Sequence, residues 1–126
     1  MPNAITITTI LDGVRNLVKK IDIVGDGSGE ETAAVLVDVS AHGCAAVSIL
    51  KEYHQLSGFS ARLKWDADSD IVAFNLLEGE GGIDFNLLSG PVNNNAGAGK
   101  TGDLVLATTG LGSGDTGTII LTMRKK

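Results

Sequence analysis

The residues best suited to chemistry lie between positions 93 and 103, where the chain reads Asn93-Asn94-Asn95-Ala96-Gly97-Ala98-Gly99-Lys100-Thr101-Gly102-Asp103. Gly-Lys-Thr closes a phosphate-binding loop, in which a glycine-rich backbone wraps phosphate oxygens, the lysine reaches them and the hydroxyl holds magnesium. That loop also needs a glycine five positions before Gly99, and Asn94 stands there. It must open a helix whose first amides face the phosphates. Here Gly102-Asp103 breaks the chain and Leu104-Val-Leu-Ala-Thr-Thr109 has the character of a strand. Nucleotide binding is therefore not expected. Asparagines followed by alternating Ala and Gly suit a compact surface loop. A long loop on a rigid scaffold is a natural docking element.

Asp66, Asp68 and Asp70 begin like a calcium loop. An EF-hand is excluded, because Ile71 stands where glycine must turn the chain and Leu77 where the bidentate glutamate belongs. A weak surface site on these aspartates, or on Asp26 with Glu30, is the residual metal reading beside solvated turn carboxylates. His42, Cys44 and His54 supply all the His and Cys in the chain. A zinc centre needs three or four ligands in compatible geometry, and spacing identifies no nucleophile with its base. No catalytic, metal or cofactor-binding residue is assigned, and no cofactor is expected.

The elements that must position these residues read as strands. Ala4–Ile10 alternates branched and polar side chains, and Leu11-Asp12-Gly13 signals a turn. In Arg15–Val24 one face carries Leu17, Lys19, Ile21 and Ile23, the other Val18, Lys20, Asp22 and Val24, so neither is clean. That mixture suggests an edge or interface strand. A flexible loop over 25–31 leads to Thr32–Asp38, apolar almost throughout. Ala41-His42-Gly43 breaks the chain again. Ala45–Leu56 is ambiguous, with Ala46, Ile49, Leu50, Tyr53 and Leu56 near helical spacing; we assign a strand. Phe59–Trp65 alternates cleanly, with Phe59, Ala61, Leu63 and Trp65 on one side. Further strands are expected at 71–77, 83–88, 103–109 and 116–123, separated by turns at 66–70, 78–82 and 111–115 and by the long loop over 89–102. About nine short strands at such intervals predict an all-β, single-domain fold over 1–126, an antiparallel β-sandwich or jelly-roll-like barrel of 8–9 strands.

Composition bounds the function. The chain has 126 residues, a formal charge of −5, 17 glycines and 4% aromatics. Its core must be aliphatic, and association with other chains would supplement it. The acidic balance argues against a nucleic-acid surface, which needs clustered Lys and Arg. Arg124-Lys125-Lys126 is the one basic cluster, read as a solvated tail or as a contact to an acidic partner. Cys44 stands alone, so no intrachain disulfide forms. Neither a signal peptide nor a membrane span is apparent. A soluble product of a cytoplasm is expected.

Several stretches together are distinctive: Ile7-Thr-Thr-Ile-Leu-Asp-Gly-Val-Arg-Asn16, Ser57-Gly-Phe-Ser-Ala-Arg-Leu-Lys-Trp-Asp-Ala67, Gly82-Ile-Asp-Phe-Asn86, Asn94–Asp103 and Gly114–Lys126. Through them the chain resembles small virion structural proteins of tailed bacteriophages, including phages of cyanobacteria. The departure is Val47–Gln55, which reads more helical than such a scaffold. The resemblance implies a non-enzymatic virion component made in the host cytoplasm. A decoration or cement protein on the capsid surface comes first, and a head-to-tail junction, tail or baseplate/fibre component second. The implied partners are the major capsid protein or other virion proteins, together with further copies of this chain in a homo-oligomer, a trimer being one option. Neither nucleic acid nor membrane is implied. Asn93, Asn94, Asn95, Lys100, Arg124, Lys125 and Lys126 are the candidate contacts. A ligand-binding β module, using its loops for a sugar or a metal, is the alternative from another class.

Overall fold

The computed structural model describes residues 3–85 and 97–126, and it is an antiparallel β-sandwich. Among the described residues nine strands follow in chain order: β1 (Ala4–Asp12), β2 (Asn16–Val24), β3 (Ala34–Val37), β4 (Val47–Ser57), β5 (Ser60–Trp65), β6 (Ile71–Leu76), β7 (Gly79–Asp84), β8 (Leu104–Thr109) and β9 (Thr116–Lys125). One sheet has the order β1-β2-β9-β4-β7, the other β3-β8-β5-β6. The two inner faces enclose one aliphatic core, in which Trp65 and Phe59 are the largest fully covered side chains. Trp65, Leu63, Ala61 and Phe59 all point inward, as the alternation in that segment requires.

The strand assigned to Ala45–Leu56 is β4, and its helix-like spacing has a physical reason. β4 pairs with β9 through Ile49↔Met123 and then Lys51↔Thr122, so Leu50 is an extra residue, a β-bulge. A bulge shifts the alternation by one position. Val47 and Ile49 face inward before it, and Glu52, His54 and Leu56 after it. The resulting spacing of three mimics a helical period. A second bulge, at Leu36 between Val35↔Val105 and Val37↔Leu104, lets both Leu36 and Val37 enter the core while Val35 stays half exposed.

Three expectations need correction, and the loop expected over 25–31 is present. β2 is an interior strand, between β1 and β9, and its mixed face buries Lys19, whose Nζ donates to the Leu36 carbonyl at 3.4 Å. The glycine-rich segment 78–82 is largely strand β7, paired with β4, and not a turn. Two of its glycines are required by proximity: a Cβ on Gly82 would lie 2.6 Å from the Glu52 carbonyl oxygen, and one on Gly81 3.0 Å from the His54 ring. The strand expected over 83–88 contributes Ile83 and Asp84 to β7, and positions 86–88 lie outside the described residues. The loop over 25–31 is held by hydrogen bonds. The Asn3 amide donates to the Gly29 carbonyl and to Glu31, and the Glu30 carboxylate accepts from Thr108 Oγ1 and from the amides of Gly110 and Leu111.

Trp65 is 1% exposed. Trp65→Ala is expected to cost about 3–5 kcal/mol, measured by chemical denaturation, and an unchanged midpoint would contradict its placement in the core.

Candidate functional site

The loop that resembles a phosphate site is a corner. Gly97, Gly99 and Gly102 have positive φ, a backbone region open chiefly to glycine. The loop folds onto the turn 66–70: Asp68 N–H donates to the Ala98 carbonyl, Thr101 N–H to the Asp66 carbonyl, and Thr101 Oγ1 to Asp66 Oδ2 at 2.9 Å. A Cβ on Gly99 would collide with the Asp68 carboxylate. The threonine hydroxyl that would hold magnesium is thus committed to a carboxylate, and the chain continues into β8 and not a helix. The same contacts occupy the supposed calcium residues. Asp70 Oδ1 accepts from the Ala67 amide, and among the described residues no three His, Cys, Asp or Glu side chains are grouped to hold a metal. Lys100 is exposed on this corner, and Asn93, Asn94 and Asn95 lie outside the described residues.

The basic end of the chain is not a solvated tail. β9 runs to Lys125, whose amide donates to the Arg15 carbonyl, and the Lys126 amide donates to the Ala46 carbonyl. Lys125 Nζ is bonded to Asp12 Oδ1, and His42 Nδ1 lies 2.8 Å from Asp12 Oδ2. Lys125, then His42, hold the Asp12 carboxyl below the ordinary carboxylate range. Of the three basic residues, Arg124 and Lys126 remain exposed, and Lys125 serves the fold.

Asp12 lies at the turn end of the β1–β2 hairpin, paired with Leu17, so its bonds to Lys125 and His42 fix the tip. β1 and β2 are joined by a tight turn in which the Gly13 amide donates to the Asn16 carbonyl. Apolar side chains crowd its tip: Ile10 is 56% exposed, Leu11 47% and Val14 97%. The adjoining strand is unusual as well. β1 is the edge of its sheet, and every residue of it except Ile5 is exposed. The signal was present in the sequence as an uncharged, branched run, Ala4–Ile10, but a buried strand reads the same way.

At the opposite edge, a cleft of ≈ 430 Å³ lies between β6 and β7, lined among others by Glu52, His54, Phe74, Leu77 and Ile83. Glu52 Oε1 is 2.6 Å from His54 Nδ1, and the Glu52 side chain is completely buried. Its second oxygen, Oε2, has no hydrogen-bond partner among the described residues. Burial pushes the Glu52 carboxyl upward, opposed by the bond to His54. Such a pair orients an imidazole. Covalent catalysis would further need a nucleophile bonded to that ring, and among the described residues the hydrogen-bond partner of His54 is Glu52.

No protein-family model matches the chain, and no curated protein matches it. Among the described residues, no helix is long and apolar enough to cross a membrane.

The raised Glu52 pKa has a defined sign. A carboxyl that is harder to ionise in the folded state contributes stability fully below its ordinary value of 4.5, and that contribution is lost as pH rises through the folded value. Glu52→Gln should therefore raise the melting temperature at pH 8, by about 4 °C for each kcal/mol of burial cost removed, and much less at pH 4. Paired thermal melts at the two pH values check this; equal shifts at both would contradict it.

Proposed function

We propose that this protein is a structural component of a tailed-phage virion, a decoration protein that binds the outer face of the head lattice and holds neighbouring capsomers together. The resemblance through 7–16, 57–67 and 114–126 supplies the virion context. The observation that carries the contact role is the β1–β2 hairpin, which presents Ile10, Leu11 and Val14 to solvent at a tip fixed by Asp12. Exposed apolar side chains on a rigid support are the residues that become interface anchors, because little ordering remains to be done on binding. The partner is the major capsid protein, reached by the hairpin tip with Arg124 and Lys126 beside it as polar rim. Such a protein stabilises by binding the assembled lattice in preference to its separated subunits, which displaces the assembly equilibrium by mass action. Its station is the capsid surface.

The test combines purified protein with undecorated shells. Cosedimentation and a higher shell rupture temperature are expected. Val14→Asp should weaken shell binding at least about tenfold, the cost of one central apolar anchor, without lowering the protein's own melting temperature. Absence of cosedimentation at micromolar concentration would overturn the decoration role. A copy number of six or twelve per particle, in place of hundreds, would move the protein to the tail axis.

A further inference from the structure

We propose that β1 is a homodimerisation edge, pairing antiparallel with β1 of a second copy to make one continuous ten-stranded sheet. Among the described residues the sheets have four edge strands, β1, β7, β3 and β6, and three are poorly suited to extension. β3 has four residues and a bulge at Leu36. β6 is interrupted by a bulge at Ala73. β7 carries Glu80 and Asp84 in a glycine-rich strand. β1 is nine residues long, and the run Ala4-Ile-Thr-Ile-Thr-Thr-Ile10 contains no charge, glycine or proline. Natural edge strands are normally protected by charge, proline, bulges or shortness. Here the one irregularity, between Thr9 and Leu11, falls at the end of the run.

A second copy fits this edge on three counts. The run is neutral, so self-pairing sets no like charges opposite one another. The register that uses all of it places Ile7 opposite Ile7, Thr6 opposite Thr8, Ile5 opposite Thr9 and Ala4 opposite Ile10. The two-fold axis of an antiparallel pair is perpendicular to the sheet, so the inner face of one copy continues into the inner face of the other. That face of β1 carries Ile5 and Ile7, opposite the core residues Ile23 and Ile21 of β2. Ile7 nevertheless stays 36% exposed, whereas Ile21 is fully buried. Pairing would bring four isoleucines together where each copy alone leaves them partly wet.

This deepens the proposed function and does not depend on it. A dimer centred on Ile7 sets the two hairpin tips at opposite ends of the joined sheet, about 45 Å apart at the usual strand rise. One dimer would then touch two lattice sites, and the second contact would gain from the effective concentration set by the first. A contact about seven residues long lies at the small end of stable interfaces, so dissociation on dilution is expected.

The experiment measures mass by light scattering from about 1 to 300 μM, with no shells present. Wild type should move from 13.0 kDa toward twice that mass, and Ile7→Lys should stay at the lower value with its strand signature unchanged. In a Cys44→Ser background, Ile7→Cys should give a disulfide-linked dimer on mild oxidation, and Val35→Cys, exposed on the other sheet, should not. A monomer throughout, a dimer that persists in Ile7→Lys, or equal cross-linking at the two positions would overturn the proposal. Dimerisation without shell binding would leave it standing and defeat the decoration role alone.

Discussion

The extra residue at Leu50 governs which chemistry the core contains. Without it, period-two alternation from Val47 and Ile49 would carry Lys51, Tyr53 and Gln55 inward. With it, Glu52, His54 and Leu56 go in, and Lys51 and Tyr53 face out to meet Asp84 and Glu80. The neighbouring strands follow this phase. Leu121, Ile119 and Gly117 of β9 lie across from Glu52, His54 and Leu56. Gly117 is small there because a Cβ would lie 2.7 Å from Leu56 and 2.9 Å from Phe59. The glycines of β7 fit closely against the same segment of β4. One inserted residue therefore sets the composition of three strands.

The sheet that results carries charged groups on its buried face. Lys19 and Glu52 belong to one cross-strand row, separated by Leu121. Burial lowers the pKa of the lysine and raises that of the glutamate, so each is driven toward its neutral form. Lys19 reaches a carbonyl, but Glu52 keeps one oxygen without a described partner. Replacing such groups with neutral isosteres is commonly neutral or favourable for stability, so they do not explain why the fold is stable. Stability rests on the aliphatic rows around them, Leu17 with Met123 and Ile49, and Ile21 with Ile119.

Clean alternation was legible in the sequence. Phe59–Trp65 gave both a strand and its buried face, and the turn residues gave nearly every boundary of a nine-strand, all-β fold. What was harder to read has several causes. A bulge is a phase error that composition does not announce, so Leu50 gave the strand β4 a helix-like spacing and Leu36 gave β3 its nearly unbroken apolar run. Lys19 hid an interior strand because a long side chain can take its charge to a nearby carbonyl. Gly81 and Gly82 read as part of a turn because closeness to β4, which requires them, is a tertiary fact. For the site, the lysines at 125 and 126 drew notice by charge alone, yet Lys125 is spent on Asp12. The hairpin tip escaped because Val14 looks like any core valine until its neighbours are known.

The strand order has a bearing on biosynthesis. β9, the last strand in the chain, lies between β2 and β4 in the middle of its sheet. A ribosome delivers the chain from its N-terminal end, so the β1–β2 hairpin and the β4–β7 pair emerge as separate pieces with an unfilled slot between them. Thr116–Lys125 must leave the exit tunnel before that slot closes. Until then Leu17, Ile21, Ile49 and Leu56 lack their covering neighbour. Completion of this sheet therefore waits for β9, and a nascent chain stalled before residue 116 would expose the surfaces that chaperones recognise.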